Sequence, residues 1–129
     1  MAGIVMGFDF GTGKIGVAVG QAITGTATPL TILKARDGIP DWQQIEKLIK
    51  EWQPSLLVVG LPLNMDDTPS EMSRLAEKFA RKLNGRFNLP SETVDERLSS
   101  FEAAHRSNGE ELIDAIAAQL ILETYFRQK

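Results

Sequence analysis

With 129 residues, 43% of them hydrophobic and 24% charged, the chain is long enough for one core and ordinary in composition for a water-soluble globular protein. It has no cysteine, which excludes disulfides and thiolate metal sites; any metal must be held by oxygen, or by the lone His105, and oxygen suits hard cations such as Mg2+ and Mn2+. The 14 basic residues against 17 acidic ones, net −3, exclude a chain-wide basic footprint for nucleic acid but not a local basic face.

The first residues, MAGIVMGFDFG, lack the basic start and long apolar run of a secretion signal. No stretch is long enough for a membrane span, so the expectation is a single cytoplasmic domain, residues 1–129, with no membrane partner.

In chain order, the apolar run at 4–10 reads as a strand and IGVAVG at 15–20 as a second, joined through Gly11-Thr12-Gly13-Lys14 as a hairpin. A third strand is expected at 27–34, where Pro29 implies a sheet edge or a bulge. Asp37-Gly38 breaks the pattern. Trp42, Ile45, Leu48, Ile49 and Trp52 then keep helical spacing up to Pro54. The continuous apolar run at 55–63 predicts a central strand covered on both faces. Thr68-Pro69-Ser70-Glu71 reads as a capped helix start, with Thr68 as cap and Asn84-Gly85 as the end. A strand near 90–95, a short helix opened by Ser99-Ser100-Phe101-Glu102 and a last helix from about Gly109 to Phe126 complete the chain. Hairpins followed by crossover units predict an α/β fold, a mixed sheet with helices on its faces.

Three carboxylates sit in apolar or strand-end settings. Asp9 shares a strand face with Val5, Gly7 and Gly11, while Ile4, Met6, Phe8 and Phe10 share the other. A lone strand-end Asp commonly caps the next turn, but this one lies on a face of small residues where another backbone or a ligand can approach. Asp114 lies in LIDAIAAQLIL, a segment apolar nearly all round and therefore expected to be buried, with Ala117, Ala118, Ile121 and Tyr125 on its side. Asp95-Glu96-Arg97 ends a strand; alone, such a triplet is usually a solvated charge cluster. Together the acids are more informative, because clustered carboxylates repel unless a cation joins them, and divalent ions on such a cluster activate water for phosphodiester hydrolysis. For substrate contact, Lys14 in the glycine turn and Arg97 beside Glu96 are best placed. Arg74, Lys78 and Arg81, with Lys82 near them, form a basic helix face, which is more often simply solvated.

The segments FDFGTGKIGVAVG (8–20), ITGTATPL (23–30), VVGLPLNMD (58–66), DERLSSFEA (95–103) and DAIAAQLILETYF (114–126) resemble the YqgF family, which is RuvC-like and RNase H-like. The resemblance implies an RNase H-like fold with a mixed five-stranded sheet. It also implies a metal-dependent nuclease whose catalytic and metal-binding acids are Asp9, Glu96 and Asp114, with Mg2+ or Mn2+. The family is credited both with maturing the 5′ end of pre-16S ribosomal RNA and with resolving Holliday junctions, so the implied partner is precursor rRNA, on a pre-ribosomal particle, or branched DNA. Junction resolution calls for a symmetric dimer with paired sites. Two departures stand out: RuvC-type resolvases carry an acid on the strand that here reads VVGLP, where Gly60 and Leu61 stand, and the family's Gly/Lys-rich loop is reduced here to Arg106-Ser107-Asn108-Gly109.

Two other readings compete. DFGTGKIGVAVG is similar to the first phosphate motif of the actin and sugar-kinase superfamily, but that fold needs two such halves, and the P-loop pattern is missing. A non-catalytic RNA- or ribosome-binding module would suit the acidic pI but has no use for three carboxylates in apolar settings.

Overall fold

The computed structural model describes residues 3–61, 70–95 and 113–128. Alternating large side chains form β1 (Ile4–Asp9), and β2 (Lys14–Gln21) returns antiparallel to it with Asp9 opposite Gly16. β3 (Thr26–Arg36) pairs with β2, and the register slips between Val17 and Ala18 so that Leu30, directly after Pro29, is the extra residue of a bulge. A short β4 (Ile39–Pro40) pairs back onto Ala35 and Arg36. The expected five strands are thus six. Asp37 and Gly38, read as a breaker, are a two-residue hairpin turn with φ of 52° and 81°, the conformation that favours an Asp-Gly pair.

Helix α1 (Trp42–Trp52) is capped by Asp41, whose carboxylate accepts from the Gln43 N–H, and it ends at Gln53 in the left-handed region before Pro54. The chain crosses to β5 (Leu56–Leu61), parallel to β1, then through α2 (Glu71–Phe87) to β6 (Ser91–Asp95), parallel to β5. Helix α3 (Ile113–Arg127) comes last. The sheet order is β4-β3-β2-β1-β5-β6, with β1 and β5 inside it as expected.

Helix α2 begins and ends later than its sequence suggests. Its cap is Ser70, not Thr68: Ser70 and Ser73 exchange side-chain to backbone bonds at 3.0 and 2.8 Å, a capping box without Glu71. Such a cap is worth about 1 kcal/mol. Asn84-Gly85 does not stop the helix. It runs on to Phe87 and closes at Asn88, φ 55°, while the Asn84 amide donates to the Leu89 carbonyl. Thr68, Pro69, the 99–102 helix and the start of the last helix lie outside the described residues.

The pleat divides the core in two. Met6, Phe8, Phe10, Ile15, Leu57 and Val59 face α1 and α2, where Ile45, Phe79 and Leu83 meet them. Val5, Ala18, Val58 and Val94 face Ala118, Ile121, Leu122 and Tyr125 of α3. Ala117 turns into a separate small cluster with Leu120, so it does not share the stripe expected for it. Gly7 is what lets α3 come down onto the sheet: a Cβ there would lie 2.6 Å from Leu122 Cγ. One turn further along α3, the Tyr125 hydroxyl donates to Glu92 Oε2 at 3.1 Å.

Burial pushes the Tyr125 hydroxyl above its ordinary 10.0, and the bond to Glu92 and its charge push the same way. The neutral phenol is therefore the form the fold favours. Its contribution is complete below the ordinary value and is lost as pH rises through the raised one. Tyr125→Phe is expected to cost about 1 kcal/mol near neutrality and to flatten the alkaline limb of a melting-temperature against pH curve above pH ~10.

Candidate active site at the carboxyl ends of the parallel strands

Parallel strands gather their carboxyl ends at one edge of the sheet, where open α/β folds place their sites. Here β1, β5 and β6 end there. Phe8 is level with Val59, and Gly60 with Val94, so Asp9, Gly60 and Val94 form the next row across the sheet. Val94 faces α3; by the pleat, Asp9 and Gly60 do too. Asp9 is half-buried at the end of β1. Its neighbour on the same face, Gly60, carries no side chain, so the strand that bears an acid in RuvC-type resolvases here leaves that place empty of one.

The β2–β3 register adds a residue the sequence reading missed. Lys14 is level with Lys34. Since Ile15 and Leu33 point into the α1/α2 core, both lysines lie on the face of Asp9. Like charges directly opposite on a sheet are unfavourable, and both are exposed; an anion between them removes the penalty. Strand pairing was the signal needed, since the two lysines are twenty residues apart in sequence. The glycine turn carrying Lys14 is held to the β3–β4 hairpin: Ala35 N–H donates to Gly13 O and Gly38 N–H to Thr12 O, both at 2.9 Å. A Cβ at Gly11 would come within 2.7 Å of the Lys14 carbonyl oxygen, so the turn tolerates no side chain there.

The other predicted site residues are partly outside the described residues. Glu96, Arg97 and His105 are, and Asp114 is placed only as a backbone position in the first turn of α3. Among the described residues no three metal-ligating side chains gather. Asp95, the last residue of β6, falls by the pleat on the α2 side, away from Asp9. The basic face of α2 divides: Lys78 and Lys82 border one cavity and Arg81 another, while Arg74 is exposed. No helix among the described residues is long and apolar enough to cross a membrane.

Residues 3–128 match the family described as RuvX, Holliday junction resolvase. The chain belongs to the RuvX family. That bears out the YqgF resemblance. A Pseudomonas putida protein named "Putative pre-16S rRNA nuclease" is 59% identical over 93% of this chain and 92% of its own length. An Azotobacter vinelandii protein of the same name is 54% identical over 98% and 94%. Among solved structures, Thermus thermophilus RuvC in complex with Holliday junction substrate superposes with TM-score 0.57 at 15% identity, covering 97% of this chain and 95% of that one. The fowlpox virus Holliday junction resolvase gives TM-score 0.60 at 12% identity, covering 98% and 99%. At such identities these two establish the RNase H-like fold alone. The RuvX chain is a nuclease, an enzyme that hydrolyses phosphodiester bonds, and RuvC-like nucleases in general depend on divalent metal.

Proposed function

We propose that this nuclease matures the 5′ end of precursor 16S ribosomal RNA in the cytoplasm, using Asp9, Glu96 and Asp114 to hold Mg2+ or Mn2+. The observation that carries the site is the row at the carboxyl ends of the parallel strands, with Asp9 on the α3 face. Strand alternation supports Glu96 over Asp95 as the middle acid. Glu92 bonds Tyr125 of α3 and Val94 packs with Ala118, so the even-numbered residues of β6 face α3 and Asp95 does not. Helix geometry supports Asp114. Leu122 sits against Gly7, and Phe126 lies beside Gly20, the partner of Val5 at the start of β1. The helix therefore runs back toward the Asp9 end, and eight residues of it cover about 12 Å. Position 114 also keeps the spacing of the Ala118, Ile121 and Tyr125 stripe. An all-carboxylate donor set fits a hard divalent cation, which when bound supplies an activated water and charge neutralisation at the scissile phosphate. Lys14 and Lys34 would hold a flanking phosphate on the same face, with Arg97 beside Glu96.

The relatives' names support rRNA as the substrate. The charge balance supports it too: 14 basic residues against 17 acidic ones suit a protein that meets its substrate on a pre-ribosomal particle, where other contacts add affinity, better than one gripping a naked four-armed duplex. The family description favours the second reading, junction resolution. The test is cleavage of a 5′-extended 16S precursor and of a four-way DNA junction, each with Mn2+, Mg2+ or chelator. Expected are cut precursor, chelator-sensitive, and weak salt-dependent junction binding. Symmetric nicking of the junction with nanomolar binding near physiological salt would reverse the order. Lys14→Ala/Lys34→Ala should reduce the slope of log affinity against log salt by about 0.7–0.9 per lysine.

A further inference from the structure

One cavity lies at the same end of the sheet as Asp9 but on its other face. It measures about 250 Å³ and is bounded by Phe10, Ile39, Trp42, Phe79, Lys78 and Lys82. Phe10 directly follows Asp9 in the chain, and the Asp37-Gly38 turn on the opposite wall is tied to Thr12 of the glycine turn. Three features set the cavity apart from an ordinary packing gap. Its floor is aromatic, with Trp42 stacked on Phe79 at 5.8 Å and Phe10 5.0 Å from the same ring. Its rim is cationic: Lys78 and Lys82 stand a turn apart, and one turn on, Arg86 lies over the Trp42 ring at 4.3 Å. Ile39, at its mouth, is 63% exposed, one of two large apolar side chains left in water among the described residues, held there by a short strand in a tight hairpin.

We propose that this cavity binds one unpaired nucleotide of the substrate strand next to the scissile phosphate, its base against Ile39 and the part of Trp42 that Phe79 and Arg86 leave open to the cavity, and its phosphate on Lys78 and Lys82. The proposal rests on the nuclease reading above and extends it to the form of the substrate. The volume equals that of about eight waters, below the ~300 Å³ at which whole-ligand pockets begin; it admits a base and excludes a duplex. An aromatic floor with a cationic rim is the pairing by which single-stranded nucleic acid is held, aromatic contact on the base and ammonium on the backbone. Asp37 on the wall can accept from a base's exocyclic amine. A strand whose phosphate lies at Asp9 on the α3 face would pass over the end of β1 and the glycine turn to enter the cavity. The nucleotide there must be unstacked, so the cut falls at or beside a single-stranded stretch.

The test uses the full chain as Asp9→Asn/Trp52→Phe, so that the probe survives and Trp42 is the only indole. Trp52 borders a different cavity with Ile4, and its buried Nε1 has no partner among the described residues, so Phe there forfeits none of the described hydrogen bonds. Probes are a fluorescein-labelled hexaribonucleotide, its deoxy counterpart and adenosine monophosphate. Expected is a fall in Trp42 emission that tracks hexanucleotide anisotropy, with binding weakened about ten-fold or more by Ile39→Glu/Lys82→Glu, two exposed positions whose replacement is checked by a melt. Anisotropy without a change at Trp42, or a double variant binding like its parent, overturns the proposal. So does saturation by adenosine monophosphate more tightly than by the hexanucleotide, which would mark a mononucleotide site. Failure of this pocket leaves the nuclease reading standing as long as wild-type protein cuts precursor and Asp9→Asn does not; loss of that cleavage difference is what would remove the reading itself.

Discussion

Asp9→Asn is expected to lower metal-dependent cleavage by about a thousand-fold or more, the equivalent of ~4 kcal/mol of transition-state stabilisation, while leaving the melting temperature of the metal-free protein unchanged or higher. The two halves follow from one placement. Asp9 ends β1 half-buried on the α3 face, where further carboxylates are proposed to join it. Without metal, neighbouring carboxylates repel, and neutralising one removes repulsion. With metal, a ligand is missing and the water loses its activation. Added Mn2+ should raise the melting temperature of the wild type more than that of the variant, because a ligand stabilises only the state that binds it. A large drop in melting temperature for Asp9→Asn without metal would make the residue a structural cap and sink the assignment.

Gly7→Val is expected to cost about 3 kcal/mol, at the upper end for overpacking a tight core, and to lower the melting temperature by roughly 10 °C. The first atom added meets Leu122 Cγ at 2.6 Å, with both Cδ atoms at 3.0 and 3.2 Å. Cγ is the branch point of a fully buried side chain and cannot swing aside as the tip of a lysine would. Shortening the partner should recover part of the loss. Gly7→Val/Leu122→Ala is expected to be more stable than the sum of its single changes by more than 1 kcal/mol, as for residues in direct contact. Independent effects in that double-mutant cycle would show that α3 does not rest on β1 at this point.

Much of the fold was legible because its signals are periodic. Alternation assigned both faces of β1 correctly, the apolar run at 55–63 marked an interior strand, and the helical spacing around Ile45 matches what is buried in α1. What failed was local competition between caps. Ser70 outdid Thr68 because Ser73 could answer it from within the helix, and Asn84 turned its amide to Leu89 instead of ending the helix. Asp37-Gly38 was seen as punctuation and not as a hairpin turn, for lack of a long strand after it; β4 has only two residues. Of the acids proposed for the site, Asp9 is the one whose small-residue strand face was legible in the sequence. Lys34 could not, because its relation to Lys14 exists only in the strand register. The division of Lys78 and Lys82 from Arg81 likewise depends on which neighbours surround α2, which helical spacing alone does not reveal.

The contact between Gly7 and Leu122 also joins the first strand to the last described helix, across 114 intervening positions of sequence. During synthesis, β1 to β6 can pair as they emerge, but the apolar face made by Val5, Ala18, Val58 and Val94 has no cover until α3 leaves the ribosome. Such long-range closure is slow relative to local pairing, and an uncovered sheet face is what chaperones recognise and aggregates share. It also sets the order in which activity can arise. Asp9 is made early, yet the pocket proposed around it closes only with α3, so a nascent or prematurely terminated chain would carry the proposed catalytic aspartate without the helix that completes its site. For a nuclease proposed to cut ribosomal RNA, that order delays activity until the chain has left the ribosome.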